Sequence, residues 1–151
     1  MPASILAAVD GSERSWKALG VAADLARARA AGLVIIHVVP IPSMNTAIKD
    51  YARAEAMPVE EEYARFQEDM GRTDKVAREA ERRAREAGLS DVRSLTVEGD
   101  AVPTIVAAAA AEQPSAVVMG IHARPGLADI VLGGVAHRVA RQLTCEVVLV
   151  K

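Results

Sequence analysis

At 151 residues, 51% hydrophobic and 25% charged, the chain is long enough for one domain with a sizeable core and has a soluble globular balance. A net charge of −2 without a long basic run argues against a nucleic-acid footprint, and 3% aromatic content leaves few rings on which bases stack. Cys145 is the only cysteine, which excludes an internal disulfide and a thiolate metal cluster and suits a reducing compartment.

The N-terminus, MPASILAAVDG, lacks the basic region of a signal peptide, and no apolar run is long enough to span a membrane. A cytoplasmic protein with no membrane partner is expected. Ser4 to Val9 reads as a short buried strand ended by Asp10-Gly11-Ser12. Ser12 is a helix cap, with Glu13 well placed in the first turn. Trp16, Leu19, Ala23, Ala26 and Ala30 follow at helical spacing, and Gly32 is expected to stop the helix. Leu33 to Val39 is a second buried strand, closed by Pro40.

Ser43 to Pro58 is unpatterned and reads as a loop. From Val59 to Ala87, Tyr63, Phe66, Met70, Ala77, Ala80, Ala84 and Ala87 form one helical stripe. The charges between them read as a solvated face with i,i+4 pairs. Val92 to Glu98 is a third strand. Asp100 is expected to cap a helix that runs to Pro114, with Pro103 in its first turn. Ala116 to Gly120 is a fourth strand, Gly133 to Gln142 a helix, and CEVVLV from Cys145 the last strand.

Short continuous apolar strands alternating with helices predict an α/β protein: one open, doubly wound parallel sheet with helices on both faces, over residues 1–151 as a single domain. Ligands bind such sheets at the carboxyl ends of the strands, where strand order reverses. The glycine segment after the fourth strand has two readings. Gly120 and Gly133-Gly134 either let a phosphate approach backbone amides at a helix start, or serve only as turn glycines. Spacing leaves both open. There is no P-loop and no G-x-G-x-x-G after the first strand.

Taken together, ILAAVDGSERSWKAL, VIIHVVP, VEGDAVPTIV, AVVMG and VLGGVAHRVARQLTCEVVLV resemble the universal stress protein family across essentially the whole chain. The resemblance implies a five-stranded sheet in the order 3-2-1-4-5 and a homodimer paired through the last strand. It also implies a pocket for ATP or another adenine nucleotide, with Mg²⁺ held by the phosphates and water. Asp10 matches the position that contacts the nucleoside, and Val38 the one whose backbone meets the adenine. Ala8 and His122 match positions lining the pocket. ATP-binding members share G-x2-G-x9-G-[ST]. Here Gly120 and Gly133 match, Ala123 replaces the second glycine, Gly134 replaces the hydroxyl residue, and Val135 follows in the same helix start. Ala123 disfavours positive φ at a cost of roughly 1 kcal/mol, and losing a hydroxyl donor to a charged group costs about 1.5–3 kcal/mol.

No metal-ligand cluster and no catalytic residue stands out. His37 reads as a satisfied core or pocket-edge residue, His137 as a packing or surface one, and Cys145 as inert. The expected function is a stress-response module that binds an adenine nucleotide through a weakened phosphate cradle, regulatory rather than catalytic, with ATP hydrolysis slow at most. The alternative is a nucleotide-free dimeric stress protein acting through protein contacts.

Overall fold

The computed structural model describes residues 3–39, 74–121 and 134–151. Five strands, β1 (Ser4–Ala8), β2 (Gly32–Val39), β3 (Val92–Glu98), β4 (Ala116–Gly120) and β5 (Glu146–Val150), form one parallel sheet in the order β3-β2-β1-β4-β5. This is the expected order. The helices are α1 (Glu13–Ala28), α2 (residues 74–86), α3 (Ala101–Glu112) and α4 (Val135–Gln142).

The apolar strands are continuous because both sheet faces are covered. Ile5 and Ala7 of β1, Leu33 and Ile35 of β2 and Val118 of β4 pack with Ala18, Ala22 and Ala26 of α1 and Ala80 and Ala84 of α2. Their neighbours Leu6, Val34, Ile36, Val117 and Met119 point the other way, toward Val102, Ile105 and Ala109 of α3 and Val139 of α4. The one-residue alternation is the strand period of two, read separately by each helix layer. Alanine dominates the α1 and α2 faces, which brings both helices close to the sheet.

The layering follows from handedness. From β1 the chain moves outward to β2 and β3, then crosses back to β4 and β5 on the far side of β1. Right-handed crossovers in opposite directions place their helices on opposite faces. β1 and β4 are therefore adjacent strands, and α1 and α4, the helices that come after them, pack on opposite faces, the switch point at whose carboxyl ends open α/β sheets bind ligands.

Several boundaries differ from expectation. α1 ends at Ala28, not at Gly32, which is the first residue of β2. The stop is Ala30, held at φ 50. The Ala31 amide donates to Ala26 O at 2.8 Å and the Ala30 amide to Arg27 O at 3.2 Å, a Schellman closure. Gly32 instead opens β2, with a carboxylate oxygen of the exposed Asp91 2.5 Å from where a Cβ would stand. Asp100 occupies the cap position of α3, but its side chain makes no capping hydrogen bond. That helix ends at Glu112, where Gln113 turns left-handed at φ 47 ahead of Pro114. The predicted alanine stripe holds where it is described: Ala77, Ala80 and Ala84 are buried. Its earlier residues, Tyr63, Phe66 and Met70, and the Ser43–Pro58 loop lie outside the described residues. Trp16 of α1 packs against the same core and carries the Arg83 guanidinium over its ring at 4.3 Å.

Candidate functional site

The site begins with the turn from β1 into α1. Ser12 is the N-cap, in extended conformation, and its hydroxyl accepts from the Ser15 amide at 3.2 Å. The Ser12 amide donates to Oδ1 of Asp10 at 2.8 Å, closing an Asx turn. Gly11 lies between them at φ +86, a conformation that favours glycine. A short polar turn thus lifts the chain off the end of β1 and leaves Asp10 exposed at the carboxyl end of the sheet.

Beside it is the end of β4, the strand paired with β1. Gly120 closes this strand in register with Val150 of β5. A Cβ on Gly120 would lie 3.0 Å from the backbone oxygen of Arg14, in the first turn of α1. Glycine at 120 thus lets α1 pack closely against the end of β4. The third element at this end of the sheet is the start of α4. This helix leads directly into β5, so its N-terminus lies at the carboxyl end of the sheet. Gly134 is its N-cap, with no side-chain capping bond and no acidic residue in the first turn. First-turn amides of this kind carry partial positive charge and favour an anion. Gly134 has φ −63 and ψ 145, and a Cβ there would meet only His137 Cδ2 at 3.7 Å. Nothing in its geometry demands glycine.

The remaining expected residues fall into two groups. Ala8 ends β1 and Val38 lies near the end of β2; both are half-buried and on the α3–α4 side of the sheet. Val135 opens α4 and is 43% exposed, the more exposed of the two large apolar side chains that stand out into solvent among the described residues. Ala8, Asp10, Val38, Gly120, Gly134 and Val135 are thus all at the carboxyl end of the sheet. His122, Ala123 and Gly133 lie outside the described residues.

His37 is buried, and its Nδ1 is 2.7 Å from Val9 O. His137 is exposed on α4, and Cys145 is half-buried just before β5. Among the described residues no group of three or more His, Cys, Asp or Glu is placed to hold a metal ion. No helix among them is long and apolar enough to cross a membrane. Sequence reasoning passed over Ser15, whose hydroxyl accepts from the Gly11 amide at 3.1 Å and donates to Ser12 O at 2.8 Å. The signal was present: a serine three residues after a capping serine is in the position from which a capping-box side chain reaches back.

An open doubly wound parallel sheet in the order β3-β2-β1-β4-β5, with helices on both faces, defines the protein as α/β. The chain belongs to the universal stress protein family, whose model matches residues 1–151. It is 28% identical over 149 residues to the universal stress protein YxiE of Bacillus subtilis, covering 97% of each chain. A universal stress protein solved in complex with cAMP superposes with a TM-score of 0.70 at 25% identity, covering 99% of this chain and 97% of that one. A universal stress protein from Archaeoglobus fulgidus shares the fold, with a TM-score of 0.73 at 21% identity over 99% of this chain and 93% of that one.

Proposed function

We propose that this chain binds an adenine nucleotide in the crevice between the carboxyl ends of β1 and β4 and serves a regulatory role. The observation that carries this reading is the Asp10 turn, a carboxylate exposed at the end of β1, at the same end of the sheet as a helix start that has no side-chain cap. A carboxylate accepts hydrogen bonds from the hydroxyls of a ribose, and first-turn amides accept the negative charge of phosphates. The relative solved with cAMP supports the same ligand class. ATP is the proposed nucleotide, with Mg²⁺ held by its phosphates and water. In this reading an occupied crevice ties β1, β4 and α4 together, so the ligand acts by stabilising the folded chain.

The test uses two variants of Asp10. Asp10→Asn keeps an oxygen for the Ser12 amide but removes the charge and one acceptor. The expected outcome is a ligand-free melting temperature close to that of the original protein and loss of most of the thermal shift caused by Mg-ATP. Asp10→Ala should lose the shift and also some ligand-free stability, because the Asx turn goes with it. An undiminished shift in Asp10→Asn overturns the reading. The second reading, a nucleotide-free dimer acting through protein contacts, is favoured by Gly134, which has no hydroxyl to offer a phosphate. Homodimer formation along β5 is proposed under both.

A further inference from the structure

Among the described residues, only two polar side chains are buried: Ser15 at 4% exposure and His37 at 7%. One belongs to α1 and the other to β2. A buried polar group is costly unless it is hydrogen-bonded, and either position would suit an apolar residue. His37 in particular interrupts a strand whose preceding residues, Leu33 to Ile36, are all apolar and buried.

Both side chains direct their hydrogen bonds to the same four consecutive residues. His37 Nδ1 meets Val9 O at 2.7 Å. A carbonyl oxygen only accepts, so Nδ1 carries the proton. Ser15 Oγ accepts from the Gly11 amide at 3.1 Å and donates to Ser12 O at 2.8 Å. The register between β1 and β2 ends at Ala8 and Ile36, so the imidazole extends the tie between the strands past the ladder.

The geometry has a specific consequence at the residue in between. The backbone of Asp10 is set by two peptide planes, Val9–Asp10 and Asp10–Gly11. His37 grips the first through its carbonyl, and Ser15 grips the second through its N–H. With both planes held from the core, φ and ψ of Asp10 have little freedom, and the Asp10 Oδ1 bond to the Ser12 amide fixes the side chain in turn. We propose that His37 and Ser15 are positioning residues that lock the Val9–Ser12 turn and hold the Asp10 carboxylate ready for a ligand. The proposal rests on the nucleotide reading of the crevice. Its physical basis is preorganisation, since a carboxylate ordered before binding carries no ordering cost at binding.

The test compares His37→Leu, His37→Asn and Ser15→Ala by two measurements: Mg-ATP affinity by calorimetry, and ligand-free exchange of the Ser12 amide by NMR. Leucine fills the histidine's space without a donor, whereas asparagine is smaller but places an amide N–H near the position of Nδ1. If His37 acts through its hydrogen bond, His37→Leu should weaken Mg-ATP roughly tenfold and speed Ser12 exchange. His37→Asn should then stay closer to the original protein in both. Ser15→Ala should behave like His37→Leu. The reverse order, with leucine benign and asparagine harmful, means that His37 only fills space and overturns the proposal. So does unchanged Ser12 exchange in both His37→Leu and Ser15→Ala. If His37→Leu does not fold, Ser15→Ala, which removes a single hydroxyl, carries the test. An original protein that fails to bind Mg-ATP overturns the nucleotide reading instead, and Ser12 exchange still decides whether the two side chains hold the turn.

Discussion

Two helices of this protein close in the same way with different residues. At the end of α2 the Leu89 amide donates to Ala84 O and the Gly88 amide to Arg85 O, with Gly88 at φ +97. At the end of α1 the same two bonds form around Ala30 at φ 50. Glycine reaches this region freely, whereas alanine crowds its Cβ against the backbone, at a cost of roughly 1–2 kcal/mol. A glycine at position 30 would also gain freedom in the unfolded chain, which returns about 0.4–1 kcal/mol of the advantage. Ala30→Gly should therefore stabilise the protein by roughly 0.5–1 kcal/mol, measured by urea unfolding. A decrease in stability would show that the Ala30 conformation is not strained. The sequence pattern missed this stop because an alanine holds the left-handed position, and the nearest glycine, Gly32, already belongs to β2.

Among the elements, α2 and α4 show what a charged helix face and a bare helix start do. On α2, Glu79 bonds Arg82 at 2.6 Å and Arg83 at 2.8 Å, Glu81 bonds Arg85 at 2.9 Å, and Arg82 also bonds Glu86 at 2.5 Å. Three of these are the expected i,i+4 pairs, and Glu79–Arg82 adds an i,i+3 pair. Hydrogen bonds from Arg82 and Arg83 hold the Glu79 carboxyl down from its usual 4.5 to about 2. A lowered folded-state value means that the ionised form favours folding. This contribution is complete above about pH 4.5 and fades as pH falls toward 2. Glu79 is half-exposed, and solvent screening keeps the contribution small. The melting temperature of the original protein should exceed that of Glu79→Gln at pH 6, and the gap should close between pH 4.5 and 2. A gap that widens with acid contradicts the assignment. On α4, Gly134→Ser places a hydroxyl where the backbone is already extended and the space is open. It should raise ligand-free stability by a few tenths of a kcal/mol as an N-cap. It should also tighten Mg-ATP by about one decade, read by calorimetry, if the crevice holds the phosphates. A stability gain without an affinity gain would favour the nucleotide-free reading.

At the scale of the whole molecule, the strands and the α/β class are legible as apolar runs, but the sheet order is not. Nothing in LVIIHVV or AVVMG says which strand lies beside SILAAV; that came from the family resemblance. The residues gathered at the crevice are legible in part for the same reason. Asp10, Val38 and Gly120 each stand at or beside a strand's carboxyl end, and a parallel sheet brings such ends together. The tie between His37 and Val9 is not legible, because it depends on a register between strands separated by a whole helix. The sheet order also sets the last prediction. β5 is an edge strand of five residues, and Val147, Val148, Leu149 and Val150 are all half-buried. One side of β5 pairs with β4. Its other side is the outer edge of the sheet, and a short apolar edge is a template for pairing with another chain. Glu146 at its start is bonded to Arg29 at 2.8 Å, which ties the strand back to α1. A two-fold pairing of β5 with a second copy would satisfy the edge amides and cover the valines and leucine on both faces. Light scattering at micromolar concentration should give twice the chain mass, and the amides of β5 should exchange more slowly on raising the concentration. A chain that stays monomeric would remove both the dimer and the protein-contact reading built on it.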